Sequence, residues 1–201
     1  MKDFHNTSII DLAAIVAEHL TQHGIEVVLV GGLAVEIYTE NLYLTKDIDM
    51  VNINYQKPAR MHSAMAELGF KKQGRVYVNS TTDITVEFPT GPLSVGNELI
   101  QHTTVTKVAS GLIPILCVED IIKDRIAAFI HWKDKQSLIQ ALAIILKHKI
   151  KPTVFQDFCS NENGMMQYEL LKKLHASAKK QKAYSMEQLE NLLTKILISQ
   201  L

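Results

Sequence analysis

The sequence predicts an α/β (α+β) protein: a first part that mixes strands and helices, then an all-helical second part, joined near residue 117. Three observations predict this. Apolar runs rich in β-branched residues alternate with helical periodicity as far as Leu116. Clusters of Gly, Pro, Ser and Asn punctuate those runs. From Glu119 onward helical periodicity takes over, with no strong breaker before Pro152.

Ser8-Ile9-Ile10-Asp11 has the form of a capping box, which satisfies the orphan N–H groups of a helix start. Behind it Leu12, Ile15, Val16, His19 and Leu20 follow helical spacing, and Gly24 is a natural stop. Residues 25–30 (IEVVLV) read as a buried strand. Gly31-Gly32 ends it, and a helix starts at once over residues 33–38. Asp47-Ile48-Asp49-Met50-Val51 has the alternation of a strand with one buried face.

Pro58 is placed to open a helix running to Leu68, with Gly69 closing it. Residues 75–79 and 83–88 form two strands around Ser80-Thr81-Thr82. Pro89, Gly91, Pro92 and Gly96 mark residues 89–97 as a loop. Residues 103–108 and 113–116, split by Ser110-Gly111, form a hairpin. Residues 119–150 are helical, and two or three more helices follow, with a break at Asn163-Gly164. The last, over residues 185–201, carries Met186, Leu189, Leu192, Leu193 and Ile196 on one face. It is expected to pack on the domain, or on a second copy in a homodimer. The two parts are therefore residues 1–117 and 118–201.

Composition narrows the function classes. Hydrophobic residues are 47% of the chain, enough for a sizeable core. Basic and acidic residues number 21 each, so no overall field exists to grip a long nucleic acid. Cys117 and Cys159 form no CxxC pair, which gives zinc or dithiol chemistry no support and suits free thiols in a reducing cytoplasm. The N-terminal MKDFHNTSIID lacks the apolar stretch of a signal peptide, and no run approaches the roughly 20 residues of a membrane span.

Chemistry concentrates in three places. Gly31-Gly32, between strand and helix, lets the backbone approach a ligand, and the helix start offers N–H groups to phosphate oxygens. Asp47 and Asp49, two apart on a strand, share a face. Their repulsion is relieved by a hard divalent cation, for which carboxylate and phosphate oxygens are the natural ligands. Asp83, Thr85 and Glu87 share one face of a later strand, so Glu87 or Asp83 supplies a third carboxylate if that strand lies beside the first pair. Taken singly, a glycine pair is more often a tight turn and an acidic strand face more often a solvated surface.

In this order and spacing, Leu29-Val30-Gly31-Gly32, Thr45-Lys46-Asp47-Ile48-Asp49-Met50 and the acidic strand near residue 87 resemble the DNA polymerase beta-like nucleotidyltransferase superfamily. Residues 118–128, with His131-Trp132-Lys133-Asp134 behind them, look like the helices that follow the core in small bacterial members, including the abortive-infection nucleotidyltransferase toxins. The resemblance covers roughly residues 25–140.

It implies a mixed-sheet nucleotidyltransferase core over residues 1–117, and Mg2+ or Mn2+ held by Asp47, Asp49 and Glu87 as the catalytic acids. It further implies a nucleoside triphosphate met by Gly31, Gly32, Thr45, Lys46, Lys123 and Lys133. The reaction would move a nucleotidyl group to an acceptor hydroxyl on a protein, a tRNA or a small molecule, with pyrophosphate released. The alternative is a catalytically inactive member, a binding module or one half of a toxin–antitoxin pair with an antitoxin partner. Leu33 favours it, because many active members carry Ser or Thr directly after the two glycines. Several relatives also have an arginine shortly before the Asp-x-Asp strand, where this chain has Asn41-Leu42-Tyr43-Leu44.

Other polar features have plain readings. The lysines at 172, 173, 179, 180 and 182 are a solvated helix face, though an acidic partner could meet them. His131 and Trp132 belong to helix packing, and His102 has no partner at metal-ligand spacing.

Overall fold

The structure, a computed structural model, describes residues 2–199. It contains a mixed seven-stranded sheet, a two-stranded ribbon and eight α-helices among the described residues. The chain divides into two units. Of the described residues, the first holds 2–37, 44–94 and 99–117, and the second holds 38–43, 95–98 and 118–199.

In the first unit α1 (Ile9–Gln22) is capped by Ser8, whose hydroxyl accepts from the Asp11 N–H. Its buried face of Leu12, Ala13, Ala14, Val16, Ala17 and Leu20 lies on the sheet, where the alanines permit close approach. β1 (Val27–Val30) runs into α2 (Gly31–Thr39), which crosses the boundary between the units. β2 (Asp47–Asn52), α3 (Pro58–Glu67), β3 (Lys71–Gln73), β4 (Val76–Val78) and β5 (Thr85–Glu87) follow. β6 (Ser94–Val95), inside the stretch expected to be a loop, and β7 (Glu98–Leu99), just after it, form the small ribbon. β8 (Thr103–Val108) and β9 (Gly111–Leu116) close the unit as the expected hairpin.

Strand order in the large sheet is β3-β4-β5-β2-β1-β9-β8. β1 pairs antiparallel with β2 and parallel with β9, and β2 pairs parallel with β5. The end of β1 therefore lies beside the start of β2, which in turn lies beside the start of β5. Strand alternation places Leu29, Ile48, Met50, Val86 and Ile115 on one face, all fully buried. Asp47, Asp49, Thr85 and Glu87 share the other.

The second unit is built on α4 (Val118–Trp132), α5 (Lys135–Lys147), a 3-10 turn (Pro152–Phe155), α6 (Gln156–Asn161), α7 (Met165–Gln181) and α8 (Met186–Ile198). The helical stretch expected from 119 to 150 is two helices. Lys133 takes a left-handed φ of 58°, and Asp134 caps α5 by accepting from the N–H of Gln136. A side-chain cap breaks the helix there without Gly or Pro. α8 begins with a full capping box, Ser185 with Gln188, and buries Leu189, Leu192, Leu193 and Ile196 in a unit where it packs on α5 and α7. Among the described residues, no helix is long and apolar enough to cross a membrane.

Candidate active site

Gly31 stands where β1 ends, with φ of +67°. That left-handed conformation suits glycine. Space demands glycine as well: a Cβ here would lie 2.5 Å from Asp49 Oδ2. The Asp49 side chain thus lies over the bare backbone of the turn. Gly32 follows in the first turn of α2.

Register brings the acids together. Asp49 pairs with Val30 on one side and with Glu87 on the other, and Asp47 pairs with Thr85. Neighbouring strands stand about 4.8 Å apart, and residues two apart on a strand roughly 6.6 Å, so the acids share one small patch of sheet. The Thr85 hydroxyl donates to Asp47 Oδ1 at 2.6 Å, fixing that carboxylate. Arg75 Nε lies 3.7 Å from Glu87 Oε1. Ligand oxygens of Asp47, Asp49 and Glu87 do not all converge within 4.8 Å of one another.

Glu87 and Asp83, the alternatives left open by the sequence, are placed differently. Glu87 is in register with Asp49. Asp83 precedes the strand, is exposed, and forms an ion pair with Lys46. That hydrogen bond, and then the charge attraction, holds the Asp83 carboxyl below its ordinary value and Lys46 above its own.

The approach to β2 is held by a residue that sequence reasoning missed. Glu36, 4% exposed on α2, accepts the Thr45 N–H at 2.9 Å. The Thr45 hydroxyl in turn accepts the Asp47 N–H at 3.2 Å. A buried glutamate one helical turn beyond a glycine pair was the available signal, since an acid there needs partners.

Lys123 and Lys133 both belong to the second unit and have partners within it. Lys123 Nζ donates to Glu98 Oε2 at 2.7 Å and lies 5.5 Å from the Phe158 ring centre. Its neighbour Asp120, at 4.0 Å, has its carboxyl raised, chiefly by burial. Lys133 Nζ donates to the Ile130 carbonyl at 3.2 Å. His131 bonds the buried Glu162 at 2.7 Å, whereas Trp132 is exposed. Glu162 also accepts from the backbone and side-chain amides of Asn97, so it anchors residues 95–98 to the helices.

Comparison with known proteins yields no relative. No family model matches the chain, and no curated protein or solved structure matches it significantly.

Proposed function

We propose that the chain is a divalent-metal-dependent nucleotidyltransferase that moves a nucleotidyl group from a nucleoside triphosphate to an acceptor hydroxyl, releasing pyrophosphate. One observation carries this reading: Asp49 lies over the left-handed Gly31 turn, in register with Glu87 and beside Asp47 on the same sheet face. One carboxylate over a bare backbone turn at a helix start, with two more beside it on the same sheet face, makes a site for an anion and a hard cation together.

The donor set fits Mg2+ or Mn2+, being all hard oxygen. Bound there, the ion would offset phosphate charge and favour the ionised acceptor hydroxyl. Asp47 and Asp49 hold it, and Thr85 orients Asp47. Glu87 completes the set and takes the acceptor's proton on a carboxylate oxygen. Gly31, Gly32 and the first turn of α2 receive phosphate oxygens. Lys46, exposed beside Asp47, exchanges Asp83 for a phosphate. Lys123 and Lys133 have no part in this reading.

The test is transfer of label from each α-phosphate-labelled triphosphate, with Mg2+, to components of a cell lysate. Wild type is expected to label an acceptor. Asp47→Asn should lose metal-dependent nucleotide binding, while Glu87→Gln should keep binding and lose transfer. If wild type shows neither metal-dependent binding nor transfer, the reading is wrong. A second reading, a binding module without transferase activity, is favoured by Leu33, which is fully buried and presents no hydroxyl after the glycines. Binding without transfer by wild type would select it.

A further inference from the structure

On the first unit, His19, His23 and Glu67 bring together one ring nitrogen each and a carboxylate oxygen, all within 4.8 Å of one another. His19 and His23 stand four apart at the end of α1, so they share a helix face. Their ring centres are 4.3 Å apart. Glu67, the last residue of α3, faces them from the neighbouring helix.

His23 Nδ1 lies 2.9 Å from the His19 carbonyl oxygen, which can only accept, so that nitrogen carries a proton. His23 Nε2 lies 2.9 Å from Glu67 Oε2, also an acceptor when ionised. With the proton on Nδ1, Nε2 is the nitrogen of His23 that can offer a lone pair to a metal ion shared with Glu67. His19 Nε2 faces two acceptors as well, the Ala64 carbonyl at 2.9 Å and the same Glu67 oxygen at 3.8 Å. The Nδ1–H to carbonyl bond of His23 is the arrangement that presents Nε2 of a metal-ligating histidine.

We propose that His19, His23 and Glu67 form a surface site for a transition metal ion of the Zn2+ type, clamping the end of α1 to the end of α3. Two imidazoles and one carboxylate suit Zn2+ or Co2+ and not Mg2+, which prefers oxygen ligands. The carboxylate is half-exposed, which leaves a further coordination position for water. Ligation by His19 Nε2 exchanges its hydrogen bond to Ala64 for a metal bond. This site is separate from the acidic patch, and the inference does not rest on the proposed transfer activity.

The test titrates the untagged chain with Zn2+ and Co2+, read by calorimetry, by the visible ligand-field absorption of Co2+, and by melting temperature. One equivalent should bind with a raised melting temperature, and excess Mg2+ should not displace it. His23→Gln and Glu67→Gln should each weaken binding by about tenfold or more. His102→Gln, which changes a histidine outside the cluster and outside the acidic patch, should bind as wild type does. Far-UV circular dichroism of each variant checks that a loss is not unfolding. If folded wild type binds no Zn2+ or Co2+, or if the His23 and Glu67 variants bind as tightly as wild type, the site does not exist.

Discussion

Replacing Gly31 with alanine tests the central contact of the acidic patch. Two costs add. An alanine held at φ near +67° suffers the left-handed penalty of about 1–2 kcal/mol. Its Cβ would also meet Asp49 at 2.5 Å from Oδ2, 3.2 Å from Cγ and 3.3 Å from Cβ. Turning that side chain off its rotamer costs about 0.5–1.5 kcal/mol. The total is about 1.5–3.5 kcal/mol. Gly74, in the turn between β3 and β4, provides the control: its φ is +60°, and a Cβ there would meet nothing within 4 Å. Gly74→Ala incurs the backbone part alone. Urea unfolding followed by far-UV circular dichroism should therefore show Gly31→Ala less stable than Gly74→Ala by about 1 kcal/mol. The gap should narrow in an Asp49→Ala background, where the clashing carboxylate is gone. Equal losses at the two glycines would refute the placement of Asp49 over the turn, and the functional reading built on it.

Three further outcomes are expected. Glu36→Ala should lower stability by roughly 2 kcal/mol, because it strands the Thr45 N–H that the buried carboxylate accepts; an unchanged urea midpoint would contradict this. Asp11 has its carboxyl held below the ordinary value by its hydrogen bond from Ser8 and then by the one from Ser110. A lowered folded-state value stabilises the protein above the usual carboxylate range and is lost as pH falls through it, so Asp11→Asn should flatten the acid limb of a stability-versus-pH curve; an acid limb identical to wild type would count against it. Burial, and then the charge of Glu162, pushes the Cys159 thiol up to about 11, whereas Cys117 is only partly buried. A thiol reagent at about pH 8 should modify one cysteine in the native chain and both after unfolding, and rapid native modification of a Cys117→Ser variant would overturn this.

The parts of the fold legible in the sequence are those with a local signal. Ser8 and Asp11 announce α1, Gly31-Gly32 the turn after β1, Pro58 and Gly69 the limits of α3, and Ser110-Gly111 the β8–β9 hairpin. β3 was not legible, because Lys71, Lys72 and Gln73 are all exposed on an edge strand and carry no apolar alternation. The break between α4 and α5 was missed because it rests on a left-handed lysine and an aspartate cap, not on Gly or Pro. Asp134 followed by a polar turn was the signal that could have found it.

The sequence by itself determined that Asp47 and Asp49 share a face, since a strand's two-residue period is a local property of the backbone. It likewise determined that His19 and His23 share one side of α1. Tertiary structure alone decided that Glu87, and not Asp83, stands beside Asp49, that Asp49 lies over Gly31, and that Glu67 meets the two histidines. Strand register and helix-to-helix packing are set by contacts between distant segments. A slip of one residue moves every side chain of a strand to the opposite face, and no local pattern around residues 83–88 forbids it.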